Sequence, residues 1–149
     1  MGREQGGVSE GIVRLNVVVD TNILFSILLR RQNRLRDVLM STRDARFYCC
    51  RMSITELFKH KAKILKYSAL TEEELFESLQ EILQRLSFYD ELSIAQPSIQ
   101  KALELCRDVD EKDTPFVALM IDLDGVLWAG DREPADGLRE KGFDRFFVV

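Results

Sequence analysis

The chain has 149 residues, 46% hydrophobic and 31% charged, with a formal net charge of −4. That length suits one domain with a sizeable core, and the composition is globular rather than disordered. No apolar run approaches the ~20 residues of a membrane span, and the acidic balance argues against a generic nucleic-acid binder.

Residues 1–11 open with Met1-Gly2-Arg3-Glu4-Gln5-Gly6-Gly7 and read as a flexible leader without a signal-peptide core. The remaining residues, 12–149, are expected to form a single domain. Residues 12–19 are β-branched and nearly continuous in apolar character, which predicts a buried strand. Residues 21–31 predict a helix with Ile23, Leu24, Ile27 and Leu28 on one face, and residues 35–40 a shorter one. Residues 46–50 are strand-like. A helix over 53–67 and another over 71–86 are expected to form a hairpin with its turn at 68–70. The second of these opens on the capping box Thr71-Glu72-Glu73-Glu74. A short strand falls within 88–94, and Pro97 begins a helix that ends near Arg107. Pro115 sits in the first turn of a helix to Leu123, with Gly125 expected at its C′ position. Residues 126–129 and 146–149 complete the strands. Strands alternating with helices predict a parallel sheet covered on both faces.

Three cysteines, two of them adjacent at Cys49 and Cys50, make neither a disulfide framework nor a zinc spacing. They suit a buried strand in a reducing cytoplasm. Charge is segregated along the chain: residues 1–66 carry 13 Lys/Arg against 6 Asp/Glu, and residues 67–149 carry 8 against 19. One face for a polyanion and another for metal or solvent would produce that split.

The candidate chemistry lies where strands end and helices begin. Asp20 closes the first strand, at the edge where open α/β sheets bind ligands. It is also a favoured helix cap, and Asn22 adds a second polar group to the same turn. Glu56 stands in Ser53-Ile54-Thr55-Glu56, itself a capping box, so a structural role explains it fully. Asp113, before Pro115, is equally explained as an N-cap, and Asp110 as a nearby supporting or solvated group. Asp131 follows Gly130, whose freedom would allow a tight turn at the strand's end. The case rests on the four acids together. Converging carboxylates repel one another unless a hard divalent cation, Mg²⁺ or Mn²⁺, holds them.

Two basic runs accompany the acids. Arg30, Arg31, Arg34 and Arg36 follow the first helix. Lys59, His60, Lys61, Lys63 and Lys66 share the helix of Glu56. Each reads either as a solvated face or as a phosphate-backbone contact. Ile121-Asp122-Leu123-Asp124-Gly125-Val126 resembles the nucleophile motif of haloacid dehalogenase phosphatases. Only 21 residues follow Trp128, too few for the rest of that fold, so Asp122 and Asp124 read as exposed residues at a helix end. No Walker A loop or dinucleotide glycine fingerprint is present.

Taken in order, four segments resemble the PIN domain family. They are Val17-Val18-Val19-Asp20-Thr21-Asn22-Ile23-Leu24-Phe25-Ser26, Ser53-Ile54-Thr55-Glu56-Leu57, Asp110 to Leu119, and Leu127-Trp128-Ala129-Gly130-Asp131. Within that family they resemble the toxin-like proteins of prokaryotic toxin–antitoxin modules. The resemblance implies a three-layer α/β fold with a central parallel sheet, flanking helices and a projecting helical hairpin. It implies a Mg²⁺- or Mn²⁺-dependent ribonuclease acting on single-stranded RNA, with Asp20, Glu56, Asp113 and Asp131 as catalytic and metal-holding acids. Asn22 and Asp110 would support them, and Arg30, Arg31, Arg34, Lys59, Lys61 and Lys63 would contact RNA. An antitoxin and a second copy of the chain are the protein partners it admits. Two alternatives stay open: a catalytically weak RNA- or partner-binding module of the same fold, and a metal-dependent phosphatase of small molecules.

Overall fold

The computed structural model describes residues 14–30, 32–130 and 132–149, at 132–134 for the main chain alone. The leader expected at 1–11, and with it Arg31 and Asp131, lies outside the described residues. Strand β1, Leu15–Val19, passes directly into helix α1, Thr21–Leu28, and α2, Arg34–Ser41, follows. Strand β2, Ala45–Cys50, likewise runs without a loop into α3, Arg51–Lys59, which is succeeded by α4, Lys61–Ser68, and α5, Glu72–Leu83. Then come β3, Leu86–Tyr89, α6, Gln96–Cys106, α7, Thr114–Asp122, β4, Val126–Trp128, and α8, Arg132–Glu140. Short 3-10 turns at Glu91–Ser93 and Glu111–Asp113 precede α6 and α7.

The four strands are parallel, in the order β3-β2-β1-β4. β1 is central, and its Val17, Val18 and Val19 are all fully buried. Alternation along the strand splits them between two layers. Val17 and Val19 join Phe47 and Trp128 under α1, α2 and the α3–α5 segment. Val18 joins Cys50 and Leu127 against α6, α7 and Leu138 of α8. This is the expected parallel sheet with helices on both faces. Strands β2 and β3 lie on one side of β1 and β4 on the other, so the order of strand addition switches sides between β1 and β4. An open α/β sheet binds its ligands at the carboxyl edge of such a switch point.

The helix expected over 53–67 is two helices. It starts two residues earlier, at Arg51, and breaks at His60, whose φ of −106° and ψ of 18° leave the helical region. The His60 ring packs edge-on against Phe25 of α1, 5.7 Å between centroids. Both halves return to the core through Leu57 and Ile64, and α5 does so through Leu75 and Ile82. The hairpin turn falls at Ala69, in the left-handed region at φ 59°. The Thr71 capping box forms as expected, with Thr71 accepting from the Glu74 N–H at 3.1 Å and Glu74 from the Thr71 N–H at 3.0 Å.

At the end of α7 the left-handed residue is Asp124, φ 51°, and not Gly125. The Gly125 N–H donates to Met120 and the Asp124 N–H to Ile121, the paired bonds of a Schellman ending. Gly125 is needed for a different reason: a Cβ there would stand 2.3 Å from the Asn16 carbonyl oxygen of β1. Asp122 is not the exposed residue expected. Its carboxylate accepts from Tyr89 Oη, the Ala95 N–H and Ser98 Oγ, so the end of α7 caps the start of α6. The strand expected at 146–149 reduces to one parallel bridge between Phe146 and Leu127. Helix α8 was not expected at all. No helix among the described residues is long and apolar enough to cross a membrane.

Candidate active site

Asp20 sits one residue past β1, opposite the end of β4: its N–H donates to the Trp128 carbonyl at 3.1 Å. It is 93% removed from solvent, a burial that acids tolerate only with partners. One carboxylate oxygen accepts the Asn22 N–H at 3.2 Å, and the other faces the Gly130 N–H at 3.5 Å. The cap and site readings of Asp20 are therefore compatible. The side chain caps α1 while lining the cleft that α1 borders.

Glu56 reaches the same cleft by another route. Ser53 does not cap its helix; it is the third residue of α3 and is fully buried. Its hydroxyl bonds the Thr21 hydroxyl at 2.9 Å, tying the first turn of α3 to the first turn of α1. The free N–H groups at the start of α3 are met from elsewhere. Glu91, beyond the edge strand β3, accepts the Arg51 N–H at 2.6 Å and the Met52 N–H at 3.4 Å. The capping-box reading of Glu56 is thus overturned: no N-cap side chain bonds the helix, and Glu56 lies more than a turn inside it. Asp113 occupies the N-cap position of α7 without a capping bond from its side chain. The capping carboxylate in that segment is Asp110, which accepts the Lys112 N–H at 3.0 Å.

These residues share one cleft of about 660 Å³ at the switch point. Asp20, Glu56, Asp110 and Asp113 all line it, as do Asn22 and Gly130. Asp131, the residue after Gly130, lies outside the described residues. Of the basic residues expected near substrate, Lys63 and His60 line the cleft. Lys59 borders a neighbouring groove with Glu56 and Arg51. Lys61 is held in an ion pair with Glu72 at 2.6 Å, and Arg30 and Arg34 are exposed and do not line the cleft. Arg36 is buried, bonded to Ser78 and Glu81, and braces α2 against α5.

Sequence reasoning missed Phe25, Tyr67, Thr21 and Ser53. A signal for one of them was present: Glu56, His60, Lys63, Ile64 and Tyr67 recur at steps of three and four, the spacing of one face of the single helix expected there. The Thr21–Ser53 bond had no signal, because it joins residues 32 apart that only the sheet brings together.

An open parallel sheet that gathers acids at its switch point defines an α/β protein with an acidic ligand cleft. A family model for the PIN domain matches residues 18–146, and the chain belongs to the PIN domain family. No curated protein matches it. The fold is of the nuclease type, in a family whose members are generally nucleases using divalent metals. Hard carboxylate oxygens of the kind lining this cleft are the donors Mg²⁺ and Mn²⁺ prefer. Among the described residues no three such side chains stand close enough to form a complete ion site. The donor chemistry fits; the ligand set expected from sequence includes Asp131 as well.

Proposed function

We propose that the protein is a metal-dependent endoribonuclease that hydrolyses single-stranded RNA, with the toxin of a toxin–antitoxin module as its biological setting. The observation that carries this reading is that Asp20, Glu56 and Asp113, from three separate elements, line one cleft at the switch point. Asp20, Asp113 and Asp131 would hold Mg²⁺ or Mn²⁺, with Glu56 helping. Bound there, the ion supplies Lewis acidity toward the scissile phosphate and the water that attacks it. The chain's own residues do the rest. The main-chain donors of Asn22 and Gly130 aim the Asp20 carboxylate. The Asn22 side chain, exposed at the cleft, orients a phosphate oxygen. Lys63 offsets the negative charge that RNA brings to an acidic site. Water adds to phosphorus as the bond to the 3′ oxygen breaks, leaving a 5′-phosphate and a 3′-hydroxyl.

The test is cleavage of a single-stranded RNA with and without Mn²⁺, beside hydrolysis of a small phosphate monoester. Wild type should cut the RNA only with metal and leave the monoester intact. Asp20→Asn should abolish cleavage while keeping the fold, since Asn also caps helices. Mn²⁺ should raise the wild-type Tm, as a ligand of the native state does, and leave that of the variant unchanged. Equal cleavage by the two proteins would refute the assignment. RNA binding without cleavage would favour the binding-module reading, and monoester hydrolysis the phosphatase.

A further inference from the structure

The cleft has an acidic floor and a different wall. Lys63, Ile64 and Tyr67 of helix α4 line it, with His60 at the break before α4 and Phe25 of α1. Tyr67 is 64% exposed and lines the cleft, so its ring is accessible there. Lys66 lies with its ammonium 5.4 Å from the Tyr67 ring centre. The His60 ring is braced edge-on by Phe25. An aromatic face beside positive charge, a few residues from acids that would engage a phosphate, is the arrangement that binds unpaired bases. Stacking needs a free base face, which a duplex offers only at its ends. The cleft, at about 660 Å³, falls within the range of ligand pockets.

We propose that Tyr67, with His60 on the same side of the cleft, is a stacking platform for a nucleobase next to the scissile phosphate, and that it makes the site selective for single strands. This rests on the ribonuclease reading. Lys63, which lines the cleft, takes a flanking phosphate. The acids touch only the phosphate at which the chain is cut.

The experiment is fluorescence anisotropy with a labelled oligoadenylate hexamer and a hexamer of the same backbone carrying abasic sites. Both are measured in Ca²⁺, with probe integrity checked on gels. Wild type should bind the base-bearing hexamer more tightly. Tyr67→Ala should weaken that binding about 5- to 150-fold, the range equivalent to one stacked base. It should leave abasic binding and Tm unchanged, and Tyr67→Phe should bind as wild type. If Tyr67→Ala binds the base-bearing hexamer as wild type does, or loses both probes equally, the platform is overturned and the ribonuclease reading stands. If wild type binds neither probe, the RNA reading fails and the platform with it.

Discussion

At Glu56 two roles that sequence alone leaves in competition separate cleanly. A capping glutamate would stabilise the first turn of its helix, and glutamine would replace it at little cost. Here the first turn of α3 is capped by Glu91, and Glu56 lines the cleft instead. Glu56→Gln should therefore leave the unfolding free energy, measured by urea titration, within about 0.5 kcal/mol of wild type, as substitutions away from special structural features do. Cleavage should fall by at least tenfold, the loss expected for a carboxylate that helps hold the ion or its water. A fully active Glu56→Gln protein would remove Glu56 from the site.

Among elements, those set by local pattern were readable in advance: β1 with its closing Asp20, the capped start of α5, the proline-led α6 and α7, and β4. Those set by distant partners were not. Nothing in Lys61-Ala62-Lys63-Ile64-Leu65 announces the break at His60; the packing of that ring on Phe25 accompanies it. Ser53 has the spacing of a cap, but Glu91, 40 residues away, caps Arg51 and lets the helix begin earlier. Helix α8 hides because it contains Pro134 and Gly137, ordinarily breakers. Gly137 has a packing reason, since a Cβ there would stand 2.9 Å from Val109. Gly130 makes a similar close approach where the chain leaves β4. A Cβ at that position would stand 2.8 Å from the Asn22 Cβ. Gly130→Ala should cost about 1–3 kcal/mol, the usual cost of overpacking. Because one of the two neighbours must move and both line the cleft, cleavage should fall as well. Chemical denaturation and an RNA cleavage assay on the same preparation check both effects. Wild-type stability and activity would show that the approach relaxes without consequence.

For the whole molecule, the buried cysteines predict how stability responds to alkali. Burial, with smaller contributions from Cys50 and Glu91, pushes the Cys49 thiol up to about 12; burial and then Glu91 do the same to Cys50. The folded protein thus keeps protons that the unfolded chain releases near pH 8.5. Stability from this source is intact below that pH and declines as pH rises toward 12, by up to about 1.4 kcal/mol per pH unit for each thiol. Urea midpoints at pH 7, 9 and 10.5 should trace the decline, and Cys49→Ala should make it shallower. A parallel decline in the variant would place the alkaline sensitivity elsewhere. The break at His60 has a consequence on an evolutionary scale. It divides one stretch of chain into α3, which holds Glu56, and α4, which holds Lys63 and Tyr67; on the proposed reading the first serves the chemistry and the second meets the substrate. Changes to the second can retune which molecules are chosen while the first stays anchored to Thr21 and Glu91. Selectivity and catalytic power can then diversify independently among descendants of one scaffold.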